Sequence, residues 1–246
     1  MDNTPEEKER TYIKNIKVKG FKSIREMDLD LKPLNVLIGA NGSGKSNLLE
    51  VFRIFGHIIV GFLQVYVGTS GGANKLLHFG AQETEIMSVE FQFENSNRFG
   101  YSCLLAYASG DALRFVEEIL MLHTDNPPEH WVNINEGASE SALTELSEKS
   151  QAYDEDVIGL GELISRCFEK WIIYHFSFIG YTADIKQKCN INYCQILNAG
   201  GSNLAAYLYL LKKKSPKHYR NIVETIQLVA PFFHDFDLKP TPENAD

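Results

Sequence analysis

Eight residues, Gly39-Ala-Asn-Gly-Ser-Gly-Lys45-Ser46, follow the spacing G-x-x-x-x-G-K-[ST] of a P-loop. Gly39, Gly42 and Gly44 let the chain turn tightly, so the loop amides, with those of Ala40, Asn41 and Ser43 among them, can converge on phosphate oxygens. A helix beginning near Lys45 aims its positive end at the same oxygens. Lys45 is of a length to reach the β- and γ-phosphates. The Ser46 hydroxyl is the expected protein ligand of Mg²⁺. This chemistry is that of a nucleoside-triphosphate site, and the loop alone leaves ATP and GTP both open.

The elements around the loop agree with it. Leu34 to Ile38 is short and almost wholly apolar, the composition of a buried parallel strand. After the loop, Leu48, Phe52, Phe55 and Ile59 recur at helical spacing and predict an amphipathic helix from about Lys45. Upstream, Ile16 and Val18 alternate with Lys17 and Lys19 as in a strand, broken at Gly20, and Leu29 and Leu31 suggest a second. Downstream, Gly68 to Gly72 reads as a glycine-rich turn. The stretches Ile86 to Phe93, Gly100 to Tyr107 and Leu113 to Leu122 predict an antiparallel meander. Residues 124–156 are polar and acidic and read as loop plus mobile insertion, and Trp171 to Phe178 as a further strand. Two helices are expected near the end. One starts at Ser202-Asn203; the other starts at Ser215-Pro216 and stops before Pro231.

The longer string Asn41-Gly-Ser-Gly-Lys-Ser-Asn47-Leu-Leu-Glu50, with Gly20-Phe-Lys-Ser-Ile24 before it, resembles the ABC-type ATPase heads of the SMC, RecF and OLD group. Further segments resemble the bacterial RecF-like AAA family ATPases met in defence and repair operons: Gly71 to Gly80, Trp171 to Phe176, Gly201 to Ala206 and Ile226 to Phe233. The resemblance runs from about residue 13 to 240. It implies an α/β P-loop fold of the ABC-ATPase head type, with an antiparallel β lobe and C-terminal helices. It implies ATP as the nucleotide and Mg²⁺ as the metal, with Asn47 added to the cofactor-binding set. Lys22, Ser23 and Arg25 then either lie near the base or phosphates or are exposed hairpin residues. The implied partners are a second ATPase head, as a homodimer or a completing half, then DNA and an effector nuclease.

The hydrolytic parts of such a head are not legible. A Walker B strand needs four apolar residues followed by Asp-Glu, one carboxylate for Mg²⁺ and one for the attacking water. The Asp-Glu pair Asp154-Glu155 follows Ser150-Gln-Ala-Tyr153, and Asp235 follows Phe232-Phe-His234 but precedes Phe236. The signature motif is missing as well. Thr69-Ser-Gly-Gly72 mimics it about two dozen residues after the P-loop, and reads as a glycine turn. Gln151, Gln187 and Gln195 are equal candidates for the magnesium-contacting glutamine of the family. The catalytic residues therefore stay unassigned, and the chain reads as an incomplete head. Hydrolysis is expected only when the missing motifs are supplied. The alternative is a non-catalytic nucleotide-binding or regulatory partner of an effector nuclease.

Composition narrows the remaining classes. The 246 residues are 44% hydrophobic and 23% charged, near the globular norm, with a net charge of −8 that argues against a wholly basic nucleic-acid binder. The charge is uneven: residues 111–170 carry a net −10, whereas Ala205 to Arg220 holds five bases and no acid. Cys189-x₄-Cys194 with His175 lacks a second tight pair and reads as buried thiols rather than a metal site. No Asn-Lys-x-Asp guanine motif and no arginine-rich lid support a GTPase or a small-molecule kinase. No secretory signal or membrane span is expected, which makes the cytoplasm the default location. The expected organisation is a disordered leader at 1–11, the head portion at 12–240 with the acidic insertion at 124–156, and a tail at 241–246.

Overall fold

A computed structural model describes residues 11–94, 98–123, 130–146, 153–169, 171–174, 191 and 194–239. The chain divides into two units, residues 1–171 and 172–246.

The first unit is built on a six-stranded antiparallel sheet. Its strands are β1 (Tyr12–Phe21), β2 (Ile24–Asp30), β3 (Ile86–Glu94), β4 (Arg98–Ala108), β5 (Ala112–His123) and β6 (His130–Asn135), in the order β2-β1-β3-β4-β5-β6. Period-two alternation decides which face is buried. In β3, Met87, Val89, Phe91 and Phe93 are buried, while Ser88, Glu90 and Gln92 face outward. The outward face is laced with ion pairs, Lys17 with Glu90 at 3.0 Å and Lys19 with Glu26 at 2.8 Å. Among the described residues β2 has β1 as its single partner, and it carries Arg25, Glu26, Asp28 and Asp30, charges that discourage further pairing along its other edge.

Helices cover the buried face. They are α1 (Lys45–Ile59), α2 (Leu63–Thr69), α3 (Ala73–Leu76) and α4 (Glu155–Glu169). In α1, Leu48, Val51, Ile54, Phe55, Ile58 and Ile59 are buried. Phe55 packs on Phe91, Tyr101 and Phe168, with ring centroids 4.4, 4.7 and 4.5 Å away. This aromatic cluster is the centre of the core and fixes α1, and hence the P-loop, against the sheet. At the far end of the sheet the fully buried Glu118 accepts from Tyr101 Oη at 2.6 Å, Asn135 Nδ2 at 3.0 Å and the Ala142 amide at 2.8 Å, and also from Ser141. A buried carboxylate with four donors is fully satisfied, so this group ties β5, β6 and the 3-10 turn Ala142–Glu145 together.

The second unit holds α5 (Leu204–Lys214) and α6 (Pro216–Val229). Pro216 opens α6 and the helix ends two residues before Pro231, as the sequence predicts. Asp235 accepts from Lys212 Nζ at 2.8 Å and from the Tyr219 hydroxyl, fastening the segment after α6 back onto both helices. These bonds draw the Asp235 carboxyl down to about 2, with the Lys212 contact the larger cause and the Tyr219 hydroxyl next. No helix among the described residues is long and apolar enough to cross a membrane.

Three expectations differ from the structure. Leu34 to Ile38 forms no strand. Leu34, Val36, Leu37 and Ile38 are 81, 72, 45 and 91% exposed, because neither face of this segment is covered and no ladder partner lies beside it among the described residues. Within 124–156, the described residues form β6, the 3-10 turn and the start of α4 where loop was expected. The acidic composition hid them, since their acids face outward or, like Glu140, hydrogen-bond internally. Trp171 to Tyr174 is not a strand; Trp171 packs in the aromatic cluster, 4.0 Å from Phe168 between ring centroids. The rest of that expected strand, 175–178, lies outside the described residues, as do residues 1–10 of the expected leader at 1–11 and the tail at 241–246.

Candidate functional site

The P-loop spans Gly39 to Ser46 and leads straight into α1. Gly42 (φ 83°) and Gly44 (φ 92°) take the left-handed conformation that this turn requires. A Cβ at Gly39 would lie 2.8 Å from the Ser43 hydroxyl and 3.9 Å from Lys45 Nζ, so a side chain there would fill the cradle. Lys45 Nζ donates to the carbonyls of Gly39 and Ala40, both at 2.7 Å, and to Ser43 Oγ at 3.3 Å. Its ammonium thus sits in the mouth of the loop. The Gly44 carbonyl takes the amides of Asn47 (2.9 Å) and Leu48 (3.2 Å), and the Ala40 carbonyl takes that of Ser43 (3.2 Å). The amides of Lys45 and Ser46 have no acceptor among the described residues, and no side chain caps α1. Asn41 and Ser46 are exposed on the same loop.

The donor set fits a polyphosphate: an ammonium, two serine hydroxyls and unpaired helix-terminal amides, with no acid in the first turn of α1. For Mg²⁺ the Ser46 hydroxyl suits as one ligand. No group of three His, Cys, Asp or Glu side chains capable of holding a metal occurs among the described residues.

The turn between β1 and β2 reaches this loop. Ser23 Oγ accepts from Asn47 Nδ2 at 2.6 Å and lies 3.1 Å from where a Cβ of Gly44 would stand. Of the three hairpin residues singled out in the sequence, Ser23 touches the loop directly. Lys22 is turned to Glu50, at 3.4 Å. Arg25 is exposed on β2.

Glu50 and Tyr66 were not anticipated. Glu50, on α1, accepts from Lys22, from Arg53 and from the Tyr66 hydroxyl on α2. Burial pushes its carboxyl up, but the Tyr66 hydroxyl and the charges of Lys22 and Arg53 outweigh this and hold it below the ordinary glutamate range. Burial, and then the same carboxylate, push the Tyr66 phenol far above its usual value. Glu50 lies within the P-loop string, but its partner Tyr66 is in no motif.

The structure also accounts for the other candidates. Asp154 and Glu155 open α4, with the Asp154 carbonyl accepting from Val157 and Ile158, and so do not end a strand. Asp235 is committed to Lys212 and Tyr219. Thr69 to Gly72 closes α2 and opens α3. There Asp111 Oδ1 accepts from the Asn74 amide at 2.8 Å, and a Cβ at Gly72 would stand 1.8 Å from Asp111 Oδ2. The anion of this turn is internal, which leaves it no place for an external phosphate. Gln195 is exposed, while Gln151, Gln187, Cys189 and His175 lie outside the described residues.

Residues 12–58, which hold β1, β2, the P-loop and most of α1, match the family described as the AAA ATPase domain. The chain is 35% identical over 83 residues to the DNA replication and repair protein RecF of Colwellia psychrerythraea, covering 33% of this chain and 19% of that protein. It is 37% identical over 92 residues to structural maintenance of chromosomes protein 3 of Dictyostelium discoideum, covering 35% and 6%. The chain therefore spans less than a fifth of the length of either relative. Among solved structures, an SMC ATPase studied for ATP-driven dimerization and DNA-stimulated activation aligns at 20% identity and a TM-score of 0.33, over 44% of this chain and 69% of that one. RecF with ATP aligns at 17% identity and a TM-score of 0.29, over 88% and 47%. Over about a third of its length this chain is similar to a RecF protein and to an SMC protein, and residues 12–58 are similar to the AAA ATPase domain.

Proposed function

We propose that this chain binds ATP with Mg²⁺ through Gly39 to Ser46 and serves as the nucleotide-holding part of a RecF/SMC-like ATPase head. The carrying observation is the loop itself. Lys45 is docked in its mouth on the Gly39 and Ala40 carbonyls, two α1 amides are unpaired, and a Cβ at Gly39 would crowd the Ser43 hydroxyl at 2.8 Å. On this reading Lys45 exchanges the two carbonyls for β- and γ-phosphate oxygens, and the Lys45 and Ser46 amides receive the phosphate charge. Bound Mg²⁺ neutralises charge between the outer phosphates beside Ser46.

The head acts as an ATP-driven switch, closing on a second head or a completing half, in DNA repair or anti-phage defence. The exposed apolar segment Leu34 to Ile38, directly before the loop, supports completion by further strands. The basic run from Lys212 to Arg220 supports a contact with DNA. A second reading, a non-catalytic regulatory partner of an effector nuclease, is favoured by the engagement of Asp154, Glu155 and Asp235 in structural roles.

Equilibrium binding of ATP, with turnover measured alongside, tests the reading. Binding without appreciable turnover, lost in Lys45→Ala, is the expected outcome. Failure of the intact chain to bind ATP overturns it, and rapid turnover by this chain alone overturns the need for completion.

A further inference from the structure

We propose that Phe79 is a stacking surface for the base of the nucleotide held by Gly39 to Ser46, an inference that rests on the nucleotide reading above. Phe79 has φ 54°, a left-handed conformation that a residue with a Cβ rarely adopts, and its side chain is 82% exposed. Core packing therefore does not compensate the strain. Strain of this kind, held at a surface by surrounding hydrogen bonds, is a mark of a functional position.

The strain is shared with the β1–β2 turn. Lys22 has φ 48°. A short antiparallel ladder joins the two segments, with Phe21 opposite Leu77: the Lys22 amide donates to the Leu76 carbonyl at 2.8 Å, and the His78 amide donates to the Gly20 carbonyl at 2.9 Å, so Lys22 and Phe79 lie toward its opposite ends. His78 Nδ1 also donates to the Lys22 carbonyl, at 2.7 Å. A third non-glycine residue with positive φ among those described, Asp111, has a structural task in capping α3. Lys22 opens the two-residue β1–β2 turn and pairs with Glu50. Phe79 is third in the turn that the Gly80 amide closes on the Leu77 carbonyl at 3.1 Å. Glycine ordinarily supplies the positive φ of that position, so the turn does not explain an exposed phenyl there.

A chain of contacts runs from Phe79 to the loop. Phe79 follows His78, His78 is bonded to Lys22, and the next residue, Ser23, is bonded to Asn47 beside Gly44. The His78 ring meets the Phe79 ring edge-on, 4.4 Å between centroids at 61°, which orients the phenyl plane while leaving it open to solvent. Phe62, also exposed, lies beyond the far end of α1, roughly 20 Å along the helix from the loop. Phe79 is the open aromatic plane tied to the loop by hydrogen bonds. Such a ring stacks on any base, so it adds affinity without choosing adenine over guanine.

The test compares ATP with inorganic tripolyphosphate, which has no base, on the full chain and on Phe79→Ala, Phe79→Gly and Phe79→Trp. Phe79→Ala and Phe79→Gly are expected to weaken ATP by about 5- to 100-fold, the span of aromatic–base stacking, and to leave tripolyphosphate unchanged. Phe79→Gly removes the strain, so its Tm is expected to rise while ATP affinity falls, which a purely structural role does not produce. Phe79→Trp is expected to keep ATP affinity and to show fluorescence quenching with ATP alone. Equal loss of both ligands, or unchanged ATP binding in Phe79→Gly, overturns the proposal and leaves the nucleotide reading standing. An intact chain that binds neither ligand overturns that reading, and this proposal with it.

Discussion

The side-chain amide of Asn47, in the first turn of α1, donates to the hydroxyl of Ser23 at the β1–β2 turn, at 2.6 Å. This bond couples the rim of the sheet to the P-loop across 24 residues of sequence. Ser23→Ala and Asn47→Ala are each expected to lower ATP affinity severalfold by loosening the loop. A double-mutant cycle, read by calorimetric titration, is expected to give a coupling of about 1 kcal/mol. Additive losses would show that the contact does not carry the coupling.

Glu50 gathers Lys22, Arg53 and Tyr66. Its carboxyl titrates below the ordinary range in the folded chain, so its stabilising charge is fully present above the unfolded value of about 4.3 and is lost as pH falls through the lower folded value. Glu50→Gln is therefore expected to cost about 1–2 kcal/mol at pH 7 in denaturant melts. The difference should shrink towards pH 3, and a cost that is constant with pH would assign the effect to packing.

In the second unit, Asp235 titrates at about 2 beside Lys212 and Tyr219. A depressed carboxyl stabilises the fold above its unfolded pKa, so this contribution is lost as pH falls from about 4 towards about 2. A carboxyl NMR titration is expected to place its midpoint near the lower figure. Lys212→Ala should move the midpoint up; an unmoved midpoint would locate the cause elsewhere.

Val36 and Ile38 contribute almost no buried area, at 72 and 91% exposed. Val36→Ser with Ile38→Ser is expected to leave Tm unchanged and to reduce self-association in sedimentation velocity. The matching change at a core position, Val18→Ser, is expected to cost about 3 kcal/mol, since Val18 is fully buried. A large loss of stability from the surface pair would show that the segment is packed in solution.

The helices and strands legible in the sequence are those whose signal is local. α1 and α6 repeat apolar residues at helical spacing, α5 is announced by the cap-forming residues Ser202-Asn203, and β3 alternates cleanly. The P-loop was legible because its glycines and Lys45 are constrained by one short turn. α2 and α3 were hidden because their caps come from far along the chain. Glu140 accepts from the Leu63 and Gln64 amides at 2.7 and 3.0 Å, and Asp111 caps α3. α4 did carry a readable signal, with Val157, Leu160, Ile164 and Phe168 buried at helical spacing, masked by its acids. Leu34 to Ile38 misled for the opposite reason: its composition is that of a buried strand, but burial depends on neighbours that composition does not contain. Of the site, the loop was readable, whereas the engagement of Lys22 by Glu50 and the strained pair Lys22 and Phe79 are tertiary facts.

β1 pairs with β3 from Tyr12 against Glu94 to Lys19 against Ser88, so the P-loop and α1 are looped out between two strands of one sheet. On a ribosome adding about 5–20 residues per second, Tyr12 waits several seconds for Glu94 to be made. During that interval β1 has β2 alone as a sheet partner, and its apolar residues Ile16 and Val18 lie open to chaperones or to aggregation. The nascent chain therefore cannot complete the packing of α1, whose Phe55 rests on Phe91, until its third strand has left the exit tunnel. Slow codons placed shortly after β2 would lengthen that vulnerable window, while the same codons after β3 would not.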